Sequence, residues 1–316
     1  MAPRSVFAVV LAGGPPDPGF GPDAPRHRPL LPFRGRPIVT RVLDALGGSR
    51  VAGTWVLHDG DCPLEGYVAA GPSTRFTPLP LPAPPIGESV LLAFQGLVDT
   101  LGIEAVRRSR FLILPCDQPF VTSAVIDRVI ARAETRVFDF AYTIVAADLL
   151  EARYPGRRFR NYPVADLGGR FALQTATMVD GGFLGVDALG RVTFGDWGSR
   201  EASALFRTIS ALRDARRSPW QVPHFFHELV YRRLRGVGGV RLMVETAARF
   251  MVGRLRTVDA ARLTRAAYRI RVTHLDTGSP ELSADIDRPE DLEGHPWHPA
   301  PLEAGTTALG KALRTV

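Results

Sequence analysis

The stretch Ser5-Val6-Phe7-Ala8-Val9-Val10-Leu11-Ala12-Gly13-Gly14 decides how the rest of the chain is read. A continuous apolar run, rich in β-branched residues and ending in two glycines, predicts a central strand buried on both faces. The glycines let the backbone turn sharply and bring a ligand close to bare N–H groups. Further on comes Arg28-Pro29-Leu30-Leu31-Pro32-Phe33-Arg34-Gly35-Arg36-Pro37, and then a helical pattern over Ile38 to Leu46. Strand, glycine loop, basic residue and helix suit the binding of a polyphosphate. The same order serves many chemistries, and also a purely structural turn.

Between these segments lie Pro15, Pro16, Pro18, Pro22, Pro25, Pro29 and Pro32, with Gly19 and Gly21 among them. This composition excludes helix and central strand and predicts a loop over the ligand. Gly19-Phe20-Gly21-Pro22-Asp23-Ala24 is nominally a G-x-G-x-x-A, but it neither follows a strand nor opens a helix, so a dinucleotide site is discarded.

Downstream, Val51 to Leu57 predicts a second strand, and residues 76–86 a proline-rich loop. Gly87-Glu88-Ser89 opens a helix through Val98. Arg110-Phe111-Leu112-Ile113-Leu114 reads as a buried strand running into Pro115-Cys116-Asp117-Gln118-Pro119-Phe120. Thr122 or Ser123 caps a helix to about Ala133, and Phe140 to Val145 is another strand. Strands alternating with helices predict a largely parallel sheet with its ligands at the carboxyl ends of the strands. From about Ser199 to Thr264 the texture is helical and arginine-rich, broken at Pro219, Pro223 and Gly236 to Gly239. Strand returns at Tyr268 to Thr273, followed by Ser283-Ala284-Asp285-Ile286-Asp287-Arg288-Pro289-Glu290-Asp291-Leu292-Glu293. No internal repeat of fixed period is present.

Composition narrows the function classes. The chain has 316 residues, 45% hydrophobic and 22% charged, ordinary values for a globular protein. Its net charge of +7 and pI near 10.1 suggest nucleic acid, yet Lys311 is the only lysine. Such an arginine bias follows from a GC-rich genome as readily as from selection for DNA, so no nucleic-acid partner is expected. Cys62 and Cys116 show no paired spacing, which argues against a disulfide framework or structural zinc. No uncharged apolar run reaches the ~20 residues that span a bilayer. A cytoplasmic protein with no membrane partner is the expectation.

Asp117 and the Asp285/Asp287 pair both fall just past strand-like segments. Hard divalent cations prefer oxygen, and Mg²⁺ commonly takes one or two carboxylates plus substrate phosphates. Taken singly, each aspartate is more often a helix cap or turn former than a metal ligand, and Asp-Arg-Pro-Glu fits the start of a last helix.

Three stretches, in order, change that weighing: Val9-Val10-Leu11-Ala12-Gly13-Gly14 with the later Arg28 to Pro37 segment, Leu114-Pro115-Cys116-Asp117-Gln118-Pro119-Phe120, and Asp285-Ile286-Asp287-Arg288-Pro289-Glu290-Asp291-Leu292. Together they resemble the MobA-like nucleotidyltransferases, which include molybdenum-cofactor guanylyl- and cytidylyltransferases. The resemblance implies a Rossmann-like α/β fold of the nucleotide-diphospho-sugar transferase type, a mostly parallel sheet flanked by helices. That domain would span residues 1–293, with 199–264 a helical insertion and 294–316 a peripheral tail. It further implies a nucleoside triphosphate held by Leu11, Ala12, Gly13, Gly14, Arg28, Gly87 and Ser89. Arg28 would stand where the family usually has a lysine, in a loop longer and richer in proline than usual. Asp117, Asp285 and Asp287 would hold Mg²⁺, with Arg28 and Asp117 catalytic. Arg158, Arg160 and Gly182 would face a phosphorylated small-molecule acceptor, which receives the nucleoside monophosphate as pyrophosphate leaves.

Two alternatives stay open. A glycosyltransferase of related fold would normally offer Asp-x-Asp near position 117, where this chain has Asp117-Gln118-Pro119. A non-catalytic nucleotide-binding relative would account for the altered loop. Of the remaining polar groups, His58-Asp59-Gly60-Asp61-Cys62 reads as a polar turn. His224 and His227, among Trp220, Phe225 and Phe226, read as a packed amphipathic face. Arg213, Arg216, Arg217, Arg232, Arg233 and Arg235 read as solvated helix faces.

Overall fold

The computed structural model describes residues 4–68, 73–81, 86–157, 159, 161–195, 237–289 and 291. Its centre is β1 (Val6–Ala12), whose even- and odd-numbered residues enter two different cores. Val6, Ala8, Val10 and Ala12 face one layer, while Phe7, Val9 and Leu11 face the other. This is what period-two alternation does when both faces are covered. At roughly 1.5–3 kcal/mol for each large buried apolar side chain, such a strand is held from both sides.

β1 pairs in parallel with β4 (Gly53–Asp59) and with β6 (Arg110–Pro115), and β4 pairs in parallel with β5 (Thr74–Leu79). Beyond β6 the sheet continues through the antiparallel β9 (Gly169–Asp180) to β7 (Phe140–Ala146), and ends at β12 (Val272–Asp276), parallel to β7. A short β8 (Tyr162–Val164) pairs with β9 off this path. Two two-stranded ribbons stand apart: β2 (Pro32–Phe33) with β3 (Arg36–Pro37), and β10 (Leu184–Val186) with β11 (Val192–Phe194).

Helices α1 (Val39–Gly47) and α4 (Ser123–Glu134) cover one face with Val39, Val42, Leu46, Ile126 and Val129. Thr122 caps α4, its side chain accepting the Val125 N–H at 3.3 Å. Helix α2 (Ile86–Leu101) covers the other face with Val90, Phe94 and Leu97 and is followed by α3 (Ile103–Arg107). A short α5 (Ala147–Arg153) follows β7. In the arginine-rich segment, α6 (Val237–Met251) runs through Gly238 and Gly239, where a break was expected, α7 (Thr257–Tyr268) runs past Thr264, and Leu263, Ala267 and Tyr268 join the α2-side core. Residues 199–236, with His224, His227 and their aromatic neighbours, lie outside the described residues, as does the 294–316 tail.

The mostly parallel α/β sheet is the expected fold class, and some boundaries differ. The supposed loop 76–86 begins inside β5, an edge strand that accommodates Pro78 because its outer side needs no ladder N–H. The strand expected at Tyr268 to Thr273 starts later: α7 runs to Tyr268, Arg269 ends it in the left-handed region at φ 57°, and β12 begins at Val272. Among the described residues no helix is long and apolar enough to cross a membrane.

Candidate active site

Because β1, β4, β5 and β6 are parallel, the residues just after them gather at one end of the sheet. Gly13 and Gly14 follow β1, Asp59 ends β4, and Asp117 lies two residues beyond β6. The two glycines are needed for different reasons. Gly14 has φ 89°, in the region that disfavours a side chain. A Cβ on Gly13 would instead stand 2.8 Å from Asp59 Oδ1. The Asp59 carboxylate therefore lies against this loop, and its Oδ2 accepts the Gly14 N–H at 2.8 Å. Beside it, His27 Nδ1 is 3.7 Å from Asp59 Oδ2, while Arg26 pairs with Asp61 at 2.8 Å.

The proline-rich loop returns to the glycines at Arg28, whose N–H donates to the Gly14 carbonyl at 2.9 Å. From there its side chain reaches across the site. Nη1 donates to Asp117 Oδ2 and to Asp287 Oδ1, each at 2.9 Å. Carboxylates 170 positions apart in the chain thus converge on one cationic nitrogen. Burial works against the Arg28 charge, but Asp117 first and Asp287 next outweigh it and hold the guanidinium above its ordinary pKa.

Two features bring the distant motifs together. The Ile286 N–H donates to the Asp117 carbonyl at 2.9 Å. Gln118, fully buried, donates from Nε2 to the Leu282 carbonyl at 2.7 Å and to Thr175 Oγ1. Gln118 is thus a fastener between the two acidic segments. Asp287 precedes a helix start in which Pro289 is the first helical residue, so the helix-start and site readings of this motif hold together.

Asp285 behaves differently from Asp287. Its carbonyl accepts from Arg157 Nη2 at 2.8 Å, and its Oδ1 lies 3.8 Å from the same nitrogen. Gly87 and Ser89 are buried in the first turn of α2, which begins after β5 at this same end of the sheet. Gly182 is not at this end. It follows Asp180, the partner of Arg110 at the start of β6, so it lies at the opposite end of the sheet from Asp117. The antiparallel direction of β9 is the reason, and Gly182 leaves the acceptor assignment. Arg158 and Arg160 lie outside the described residues.

A divalent cation is the cofactor the resemblance implies, and the donor set fits one. Two carboxylates already share a positive charge, and both are hard oxygen donors of the kind Mg²⁺ takes alongside phosphate oxygens. Among the described residues no group of three His, Cys, Asp or Glu side chains could hold a metal ion by itself. The neighbouring thiols are unsuited to ligation or attack. Burial, then Asp59 and Asp61, push Cys62 up to about 12, and burial, then Asp117, raise Cys116 well above its ordinary value.

Sequence reasoning treated Asp59 as part of a polar turn and gave Asp291 no role. A carboxylate at the end of the strand beside the glycine loop was the available signal for the first. An acid four residues past Asp287, at the start of a helix, was the signal for the second.

Comparison with known proteins bears on the fold and the family. A solved structure described as a hypothetical transferase from Thermus thermophilus superposes with a TM-score of 0.60 at 21% identity, covering 91% of this chain and 99% of that one. A 4-diphosphocytidyl-2C-methyl-D-erythritol synthase from Anaerococcus prevotii matches with a TM-score of 0.43 at 10% identity, over 92% of this chain and 95% of that one. A CMP:2-keto-3-deoxy-manno-octonic acid synthetase complexed with CTP matches with a TM-score of 0.42 at 14% identity, over 99% and 100%. No curated protein matches in sequence. The profile of the MobA-like NTP transferase domain matches residues 8–182, more than half of the chain. The chain belongs to the MobA-like NTP transferase domain family.

Proposed function

We propose that this protein is a nucleotidyltransferase that moves a nucleoside monophosphate from a nucleoside triphosphate to a phosphorylated small-molecule acceptor. The observation that carries the reading is the meeting of Asp117, Asp287 and Arg28 beside the Gly13-Gly14 loop. In the reaction, an acceptor phosphate oxygen forms a bond to the α-phosphorus, and the bond from that phosphorus to the bridging oxygen breaks, so pyrophosphate leaves with the electron pair. The nucleophile is already anionic near neutrality, so the chain's task is positioning and charge neutralisation.

Asp117 and Asp287 would hold Mg²⁺, which when bound neutralises charge on the phosphates. The backbone from Leu11 to Gly14 presents the phosphates with close approach, and the start of α2 at Gly87 and Ser89 borders the nucleotide. Arg28 has two duties. Without ligand it is the counter-charge of both aspartates, and with a triphosphate in place the same guanidinium answers charge growing around the α-phosphorus. Arginine suits this exchange because its fork matches carboxylate and phosphate oxygens alike.

A second reading has its own support. Asp59 takes the Gly14 N–H and places negative charge against the loop, which favours a nucleotide-binding relative with weakened phosphate contacts. One set of experiments separates the two. Each of the four nucleoside triphosphates is tested with Mg²⁺ for thermal stabilisation, which follows the logarithm of ligand excess over Kd. Pyrophosphate release is then measured with candidate acceptor phosphates. Metal-dependent stabilisation by a triphosphate together with release establishes the transferase. Stabilisation without release across phosphorylated acceptors favours the binding relative, and no stabilisation by any triphosphate removes both.

A further inference from the structure

Arg157 opens an arginine-rich stretch of the sequence, and its guanidinium is tied to the segment that carries Asp285 and Asp287. Arg157 Nη2 donates to the Asp285 carbonyl at 2.8 Å and pairs with Asp291 Oδ1 at 2.9 Å. The other oxygen of Asp291 accepts two backbone N–H groups, from Asp287 at 3.0 Å and from Arg288 at 2.9 Å. One carboxylate thus connects Arg157 to the peptide that carries Asp287. Nor is Arg157 solvated like a typical surface arginine. Its guanidinium lies over the Phe159 ring at 5.2 Å, Phe159 packs on Tyr154 at 5.5 Å, and Nη1 is buried.

We infer that Arg157 is a positioning residue for the candidate cation site: acting through Asp291, it fixes the backbone of Asp287 and so the distance across which Asp117 and Asp287 grip a divalent cation. This rests on the assignment of those two aspartates to the metal. The physical case is one of rigidity. Asp287 sits in a stretch without regular structure just before a helix start, outside the sheet ladder, so its backbone needs anchors from elsewhere. Ile286 is anchored to the Asp117 carbonyl on one side. Asp291 and Arg157 supply the anchor on the other. Groups that orient metal ligands characteristically change metal affinity by about 10–100-fold when removed. The glycine loop belongs to different elements, so nucleotide contacts there stay as they were.

The test uses the full chain with Arg157→Met, Arg157→Lys and Asp291→Asn. Hydrogen exchange at the Asp287 and Arg288 amides is read without ligand. Mn²⁺ affinity is read by electron paramagnetic resonance in the presence of the triphosphate that stabilises the protein. Arg157→Met is expected to speed exchange at those two amides by about tenfold while protection in β1 and β6 is kept. Mn²⁺ binding weakens by about tenfold and the nucleotide KM changes less than about twofold. Arg157→Lys falls between, since an ammonium is a point charge without the fork. The double variant with Asp291→Asn is no worse than either single one, because both break the same path. Unchanged exchange at Asp287 and Arg288 overturns the inference. So does exchange rising equally across β1 and β6, which marks a general stability role. If the wild-type chain itself holds no Mn²⁺ in a manner sensitive to Asp117→Asn, the metal assignment fails and the catalytic half of the inference with it. The exchange rates then decide whether Arg157 sets that backbone.

Discussion

The two ends of the sheet each carry an arginine–aspartate cluster, and they are built in opposite proportions. At the carboxyl end, two carboxylates share the single Nη1 of Arg28. At the amino end, one carboxylate, Asp180, is shared by Arg110 and Arg4. Arg110 is also closed off within the protein. It is 8% exposed, donates to the carbonyls of Ala133 and Arg136, and stacks against Phe138 at 4.7 Å. Arg28 and Asp287 keep a side open to solvent, with side-chain exposures of 29% and 37%. A cluster with surplus negative charge and an open side is suited to take up a cation. The amino-end cluster, with Asp180 and Arg110 buried and Arg4 at its rim, has surplus positive charge and clamps strands together. The difference between the two clusters lies in their carboxylates: Asp180 is buried between two arginines, whereas Asp287 keeps an open side and shares a single one.

The largest effect is expected where this contrast is attacked at the carboxyl end. Asp117→Asn and Asp287→Asn should each lower metal-dependent turnover by roughly two to three orders of magnitude, the range for removing one preorganised electrostatic group. The fold should persist, and the double variant should be scarcely worse than either single one, because residues acting as a unit are not additive. Steady-state pyrophosphate release with a thermal melt beside it checks this. Turnover surviving either substitution would place the chemistry elsewhere.

The next effect belongs to the amino end and has the opposite character. Asp180→Asn leaves Arg110 buried with its main counter-charge gone, a change that costs about 3 kcal/mol or more. Denaturant unfolding should show that loss, while nucleotide affinity in the folded protein stays put. Loss of nucleotide affinity at full stability would erase the distinction between the two clusters.

How much of this contrast is legible in the sequence depends on whether a feature is local. The apolar run Val6–Ala12 and the strand–aspartate turn at Asp117 are local patterns, and both stand where the pattern places them. Strand β9 is not visible that way. Its Gln174 and Thr175 interrupt the apolar pattern because polar partners lie across from them: Gln174 Nε2 donates to the Ser279 carbonyl at 2.6 Å, Thr277 Oγ1 to Gln174 Oε1 at 2.8 Å, and Gln118 Nε2 to Thr175 Oγ1. Without β9 and its direction, nothing in Asp180-Gly181-Gly182 says which end of the sheet it occupies. The contacts of Asp59 with Gly14 and of Arg157 with Asp285 are illegible in sequence for the same reason, since these partners are distant along the chain and adjacent only in the fold.

The smallest expected effect concerns one glycine from each end and sharpens the contrast most closely. A Cβ on Gly181 would lie 1.9 Å from the Val106 carbonyl oxygen and 2.7 Å from that of Ser109. Both atoms are backbone, and the Gly181 N–H itself donates to the Ser109 carbonyl at 2.9 Å, so neither can step aside without moving the chain. A Cβ on Gly13 meets only the end of the Asp59 side chain, which can rotate away at the expense of its bond to the Gly14 N–H. Gly181→Ala should therefore destabilise the protein by about 1–3 kcal/mol, as overpacking does, with nucleotide affinity unchanged. Gly13→Ala should lose only about 1 kcal/mol, the worth of one hydrogen bond, yet weaken triphosphate binding, because the methyl group stands on the surface offered to the phosphates. Measured side by side by thermal melts and nucleotide titration, the two alanines should separate stability from binding. Equal stability losses with equal affinities would mean that the glycine loop, like the Gly181 turn, serves packing alone.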